Sequence, residues 1–524
     1  MARDIIAAPE PPTGMKVWLA VGGSIIGAFI AVLNIQITNA SLPDIQGAIG
    51  AGIDDGGWIS TSYLVAEIVV IPLTGFLAPV FSLRRYLLAN TVLFLVMSVA
   101  CAFAGNLQQM IVLRALQGFF GGVLIPLAFT ITLTMLPRSK QPIGMAMFAL
   151  SATFAPAIGP TIGGYLTETY GWQYIFYVNL VPGAIMLAAL IPSLPRAPMQ
   201  LGLLRHGDWA GIATLAIGLA SLQTVLEEGN KDDWFGSTLI LRLSIVAAIA
   251  LSLFIWIELT TERPLLNLRL LLRRNFGLGS VSNVILGMAL YGSVYLLPDY
   301  LSRMQGYNSE QVGEVLAWTG LPQLVLIPFL PRLMRRFDPR ALVAVGLLLF
   351  AASCFLNIGI NRDYAGDQLL VPNLIRAVGQ ALVMTPLSVL ATSGMEQENA
   401  GSASALFNMM RNLGGSIGIA MLQTLLTRRE QFHSAIITPS VSLFDEATRQ
   451  RLAALQRYFM ASGTADPATA WHSAVIAVGR TVRAQAYFLA YGDTFFMMGC
   501  ALLLAIGSAV LMRRSAGGGG AGAH

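Results

Sequence analysis

Charge is scarce in this sequence: Asp, Glu, Lys and Arg make up 11% of 524 residues, where a soluble protein uses roughly 25% to cover its surface. That shortage excludes a water-exposed globular fold and marks a membrane protein. Cysteine is also rare. Cys101, Cys354 and Cys500 lie inside apolar runs without metal-ligand spacing, so no disulfide or zinc framework is implied and they read as small packing residues. The four histidines, His206, His433, His472 and His524, are scattered over loops and tail, and no H-E-x-x-H occurs. No lysine follows a glycine, so the phosphate-cradling loop of ATP-driven proteins is missing. No strand pattern supports a dinucleotide fold, and no catalytic constellation is visible, so an enzyme is disfavoured and no cofactor is implied. The net charge of +5 sits in short loops between apolar segments, as membrane topology requires, and gives no weight to nucleic acid as a partner.

What is abundant is apolar sequence. About fourteen stretches are long enough to cross a bilayer core of roughly 30 Å as helices. They cover residues 16–39, 57–81, 86–105, 108–136, 142–166, 173–194, 209–227, 238–259, 276–300, 311–334, 341–360, 368–393, 401–427 and 485–512. The polar, Pro-rich start "MARDIIAAPEPPTGMK" precedes a run longer than a signal-peptide core and shows no cleavage site, so the first span is retained. With the first loop outside, alternate loops hold Arg84 and Arg85, Arg138 and Lys140, Arg196 and Arg205, Arg263 to Arg274, Arg332 to Arg340, and Arg513 and Arg514. The opposite short loops hold only Lys231, Arg242, Arg303 and Arg362, which places both termini in the cytoplasm.

The two halves echo each other. "LRALQGFFGGVLIPL" (Leu113 to Leu127) and "IRAVGQALVMTPL" (Ile375 to Leu387) each open on an Arg-Ala pair and end near Pro-Leu. Duplicated bundles with a midplane site between them are the usual build of secondary transporters. The expected division is a six-helix bundle over 1–200, two added spans over 201–262, a second six-helix bundle over 263–515 and a flexible tail over 516–524. The outer segment 428–484 is polar, with seven arginines. Within it "DEATRQRLAALQRYF" (Asp445 to Phe459) reads as an amphipathic helix, and Asp466-Pro467 as a cap and first-turn proline. It is either a solvated helical lid or a partner-binding surface.

Candidate functional residues stand where polar groups interrupt oil. In "VLNIQITNASLPDIQ", Asn34, Thr38 and Ser41 share one helix face, while Gln36, Asn39 and Pro43 share a neighbouring one. Five polar side chains so close together predict a water-filled cavity. Glu67 lies about ten residues into the second span without a basic neighbour in sequence. An ionised carboxyl at depth costs roughly 2.5–3.5 kcal/mol, so this one is the candidate proton carrier, against a structural hydrogen bond or a side chain snorkelling to the surface. Arg114, with Gln117 beside it, is its expected counter-charge, either resetting the acid or locking the bundle. "APAIGPTIGGYL" sets Ala155, Gly159 and Gly163 in a stripe for close helix approach, with Pro156 and Pro160 permitting a bend and Gly164 completing the motif. Arg376, Asn408 and Arg411 add polar groups inside the second half. Asp299 and Asp493, near outer span ends, read as simply solvated.

The ordered set "LNIQITNASLPDI", "WISTSYLVAEIVVIPLTGFLA", "LRALQGFFGGVLIPL", "GPTIGGYL", "WQYIFYVNL", "LQTVLEEGNKDDWF" and "NMMRNLGGSIG" resembles the fourteen-span drug:proton antiporter branch of the major facilitator superfamily, most closely its Emr-type multidrug exporters. The resemblance covers nearly the whole chain. It implies an all-α major facilitator fold in a bacterial inner membrane, with proton-driven export of amphipathic organic compounds by alternating access. It also implies a role for Arg114 in proton handling, Gly159, Pro160, Gly163 and Gly164 as the antiporter motif, and a periplasmic adaptor and outer-membrane channel as partners. Two positions depart from the pattern. Asn34 stands where the family usually has aspartate, and Pro79 and Val80 replace the Asp and Arg of the usual loop motif, predicting a looser cytoplasmic latch. The expected cavity set is Asn34, Gln36, Thr38, Asn39, Gln117, Arg376, Asn408 and Arg411, with Glu67 supplying the acid that Asn34 cannot. The alternatives are a dedicated exporter of an aromatic acid or siderophore-like metabolite, or a non-transporting sensor on the same fold.

Overall fold

The computed structural model describes residues 14–52, 55–261, 264–396, 399–463 and 466–513. The tail 516–524 and the loop residues Arg263 and Arg514 lie outside these. Among the described residues all regular structure is helical. Fourteen long helices follow in order: α1 (Met15–Ala40), α2 (Trp58–Phe81), α3 (Leu83–Cys101), α4 (Leu107–Met135), α5 (Gln141–Tyr170), α6 (Tyr174–Ser193), α7 (Trp209–Glu228), α8 (Thr238–Thr260), α9 (Arg274–Gln305), α10 (Ser309–Arg336), α11 (Pro339–Leu356), α12 (Gly366–Thr392), α13 (Ala400–Ile437) and α14 (Pro467–Leu511). All but α13 are apolar enough by length and composition to cross a membrane. Asn408 and Arg411 interrupt α13, but both are buried because α13 packs between α9 and α14.

Two close approaches organise the first half. α2 lies on α4 where a Cβ at Gly118 would stand 2.3 Å from the Tyr63 carbonyl oxygen, so any larger residue would push the helices apart. α1 lies on α5 at the small-residue stripe, with Gly159 against Gln36 and a Cβ at Gly163 meeting the Ile37 carbonyl at 2.9 Å. α5 runs unbroken from Gln141 to Tyr170 through Pro156 and Pro160. Across the halves, α5 packs against α10, and α2 and α4 meet α13.

The inserted pair α7 and α8 packs on itself, and α7 then leans on both α2 and α13. Three hydrogen bonds fix that brace. Thr61 donates to Glu228 Oε1 at 2.7 Å, Gln223 Nε2 to Ser416 Oγ at 2.8 Å, and Trp234 Nε1 to Thr424 Oγ1 at 3.0 Å. The short 3-10 helix Leu201–His206 leads into the pair. Beside it the departed loop motif is still tied down, since Gln200 N–H donates to the Val80 carbonyl at 2.8 Å and Phe76 meets Trp209 edge-on.

The segment 428–484 departs from the expectation of a separate lid. α13 continues to Ile437, and α14 begins at Pro467 rather than near residue 485. The two outer arms are therefore uninterrupted extensions of spans, bridged by the helix Glu446–Ala461. At 1.5 Å per residue α14 is ~68 Å long, about twice a bilayer core. Hydrogen bonding holds the capping carboxyls below the usual range, through the Thr448 backbone N–H for Asp445 and chiefly the Thr469 side chain for Asp466. Asp493 is not simply solvated: Arg429 Nε donates to it at 2.5 Å and His433 Nε2 lies 2.7 Å away, while Arg483 pairs with Glu430 at 3.4 Å. These contacts clamp the arms together.

Candidate transport cavity

An even number of spans puts Gly14 and Arg513 on one face, the terminal face. The opposite, loop face opens into a cavity of about 800 Å³ between the halves. Its wall comes from the loop-face ends of α1, α2, α7, α9 and α13. Toward the terminal face the halves close. Ser404 donates to the Pro126 carbonyl at 2.7 Å, Phe129 meets Phe407 at 5.8 Å, and a Cβ at Gly75 would stand 3.5 Å from the Gly401 carbonyl oxygen. The structure is thus a state open to one side only.

The two polar faces of α1 have separate fates. Gln36, Asn39 and Pro43 line the cavity. Asn34, Thr38 and Ser41 do not, because each is engaged elsewhere: Thr38 bonds back to the Asn34 carbonyl, Ser41 bonds Thr167, and Asn34 Oδ1 accepts from Arg114 at 2.6 Å. Pro160 reaches the wall, while Gly159, Gly163 and Gly164 are buried in helix packing.

Arg114 is 1% exposed, and the partners of its Nε and Nη1 are neutral. Nη1 donates to Asn34 and to Gln117 Oε1, both at 2.6 Å, Nε to the Ile59 carbonyl at 3.3 Å, and the guanidinium stacks 4.2 Å from the Tyr63 ring centre. Gln117 passes the network on, donating to Ser98 at 2.7 Å, which also accepts from Asn179. The expected pairing of Arg114 with Glu67 is not formed: no ion pair joins them, and two amides and a carbonyl hold Nη1 and Nε instead. Gln117 likewise lies in this network and not on the cavity wall.

Glu67 does line the cavity. It is 2% exposed, it rests against the backbone space left by Gly122, and its Oε1 has no hydrogen-bond partner among the described residues. It does not snorkel to a surface. Arg411, Asn408 and Arg376, expected on the wall, stand behind it. Arg411 donates to Asn408 at 3.0 Å and lies over Phe148, and Arg376 donates to Thr319 at 2.5 Å.

Sequence reasoning missed most of the remaining polar wall: Gln223, Glu227, Glu228, Lys231, Tyr291, Tyr295, Arg303, Asn412, Ser416 and Gln423. It also misjudged Asp299, which lies on the wall, accepts from Tyr491 at 2.6 Å and pairs with Arg303 at 2.6 Å. The signal was present in "LQTVLEEGNKDDWF", whose carboxyls stand at the end of an apolar run.

A helical bundle in two halves around a one-sided polar cavity, without phosphate loop or cofactor motif, defines a secondary transporter. Residues 24–419 match the Major Facilitator Superfamily, and the chain belongs to that family. The "Colistin resistance protein EmrB" of Acinetobacter baumannii is 32% identical over 501 residues, 95% of this chain and 96% of that protein. The "Multidrug export protein EmrB" of Escherichia coli is 31% identical over 521 residues, 98% and 99% of the two chains. The "Fatty acid resistance protein FarB" of Neisseria gonorrhoeae is 31% identical over 439 residues, 84% of this chain and 86% of that protein. Among solved structures, the MFS proton:xylose symporter XylE shares the fold with a TM-score of 0.58 at 14% identity, covering 94% of both chains.

Proposed function

We propose that this protein is a proton-coupled exporter of hydrophobic and amphipathic organic compounds across a bacterial inner membrane, with both termini cytoplasmic and no covalent chemistry of its own. The observation that carries the reading is the pairing of an 800 Å³ cavity, closed toward the terminal face, with a buried, unpartnered carboxyl at Glu67 in its wall. Relatives named for multidrug export and for colistin resistance support the class of cargo. The two halves rock about the cavity, and cargo and proton exchange as the open side alternates. Buried acids of this kind inside membranes mark proton relays. A proton crossing about 150 mV supplies roughly 3.5 kcal/mol, enough for a gradient of a few hundredfold in a neutral solute. A periplasmic adaptor, and through it an outer-membrane channel, would meet the helical arms on the loop face.

The test is substrate-driven proton movement in proteoliposomes. Glu67→Gln is expected to lower it by at least about tenfold while the variant still folds and binds cargo. Coupling that survives the substitution removes Glu67 from the mechanism.

A further inference from the structure

The charged groups on the cavity wall do not balance. Asp299 is tied to Arg303, and Glu228 to Lys231 at 3.2 Å and to Thr61. Glu67 and Glu227 are left over: among the described residues neither forms an ion pair. The buried arginines that would suit an anionic cargo, Arg114, Arg376 and Arg411, stand outside the lining.

Glu227 enters the cavity from α7, the inserted pair. One turn earlier on the same helix, Gln223 donates from Nε2 to Glu227 Oε1 at 2.9 Å and to Ser416 Oγ at 2.8 Å. Because a carboxylate only accepts, these bonds fix the amide orientation and turn Gln223 Oε1 away from both partners. That oxygen, on a side chain 2% exposed, has no donor. The corner therefore offers a carboxylate and an amide oxygen, both acceptors, on the same wall as the Tyr291 and Tyr295 rings. An ammonium on an apolar body satisfies all three kinds of group at once.

We propose that Glu227 and Gln223 form a subsite for the protonated amine of a cationic amphiphile, so that the inserted helix pair supplies cargo selectivity. The proposal rests on the exporter reading and adds the substrate class. The subsite is separate from the coupling acid. Thr61, which bonds the neighbouring Glu228, lies six residues from Glu67 on α2, ~9 Å along the helix. The amine docks near the mouth while the apolar body extends toward Glu67.

The experiment compares doxorubicin, which carries a protonated primary amine, with its uncharged N-acetyl derivative, in binding to the full-length protein and in export from proteoliposomes. Wild type is expected to prefer the amine by about tenfold, the worth of a charged hydrogen bond. Glu227→Gln and, independently, Gln223→Leu are each expected to reduce that preference below about threefold, the larger loss falling on the amine probe, with folding read separately from the thermal midpoint in detergent. Equal loss of both probes, or no change in preference, overturns the subsite. Export of the N-acetyl probe with no preference for the amine overturns the subsite alone, whereas export of neither probe by wild type overturns the exporter reading and the subsite with it.

Discussion

Arg114 shows how one buried residue can hold a bundle without an opposite charge. Its partners come from α1, α2 and its own helix, and the planar fork is the only side chain that can serve them together while stacking on Tyr63. Arg114→Lys keeps the charge but loses the fork. The expected cost is about 1–3 kcal/mol, read as a lowered thermal midpoint in detergent, and a midpoint equal to wild type would show that geometry there is not needed. The same residue gives Asn34 a use that needs no charge, since its amide oxygen accepts from the guanidinium at 2.6 Å. Legibility at this scale was uneven. Helical periodicity separated Gln36 and Asn39 from Asn34 and Thr38, but sequence alone could not say which face looks into water, because that depends on where Arg114 of α4 comes to rest. Glu67 was readable since an unaccompanied carboxyl in oil has few uses. The wall it shares with Gln223, Glu227 and Tyr291 was not, because long stretches of sequence separate residues that only folding brings together.

The helices were legible where apolar runs had ends, and less so where polar sequence continued a helix. α13 and α14 are examples: the arginine-rich sequence past residue 427 reads as a separate segment with helices of its own, and the Asp466-Pro467 start was legible, but not that these helices are continuous with the spans, held by salt bridges and caps. Arg429, His433 and Glu430 on one arm meet Asp493 and Arg483 on the other. The exposed side chains Phe444, Tyr458 and Ile476 lie on this assembly, where apolar surface facing water marks an interaction site. Single cysteines carrying a photocrosslinker at residues 444 and 458 are expected to capture a membrane-anchored adaptor protein in cells. Capture of lipid or of a second exporter copy alone would assign this surface to something else.

At the scale of the molecule, the one-sided cavity fixes which contacts must break during transport. Gly75 and Gly401 touch on the closed side, with a Cβ at residue 401 only 3.8 Å from the Gly75 Cα, within reach of a disulfide. The pair Gly75→Cys and Gly401→Cys is expected to lock the structure and stop export by at least about tenfold, with activity returning on reduction. Undiminished flux in fully crosslinked protein would mean that this closure never opens. The inserted pair matters here as well, since α7 bonds both halves and must exchange or carry those bonds as they move. The unbroken course of α14 has a mechanical result. Its outer arm of about 18 residues reaches ~27 Å beyond the span, so a tilt of about 15° in the second half would sweep its tip by on the order of 7 Å. The alternating cycle proposed above would thereby be transmitted as a stroke to whatever grips the far end, and that end would report which way the interior is facing.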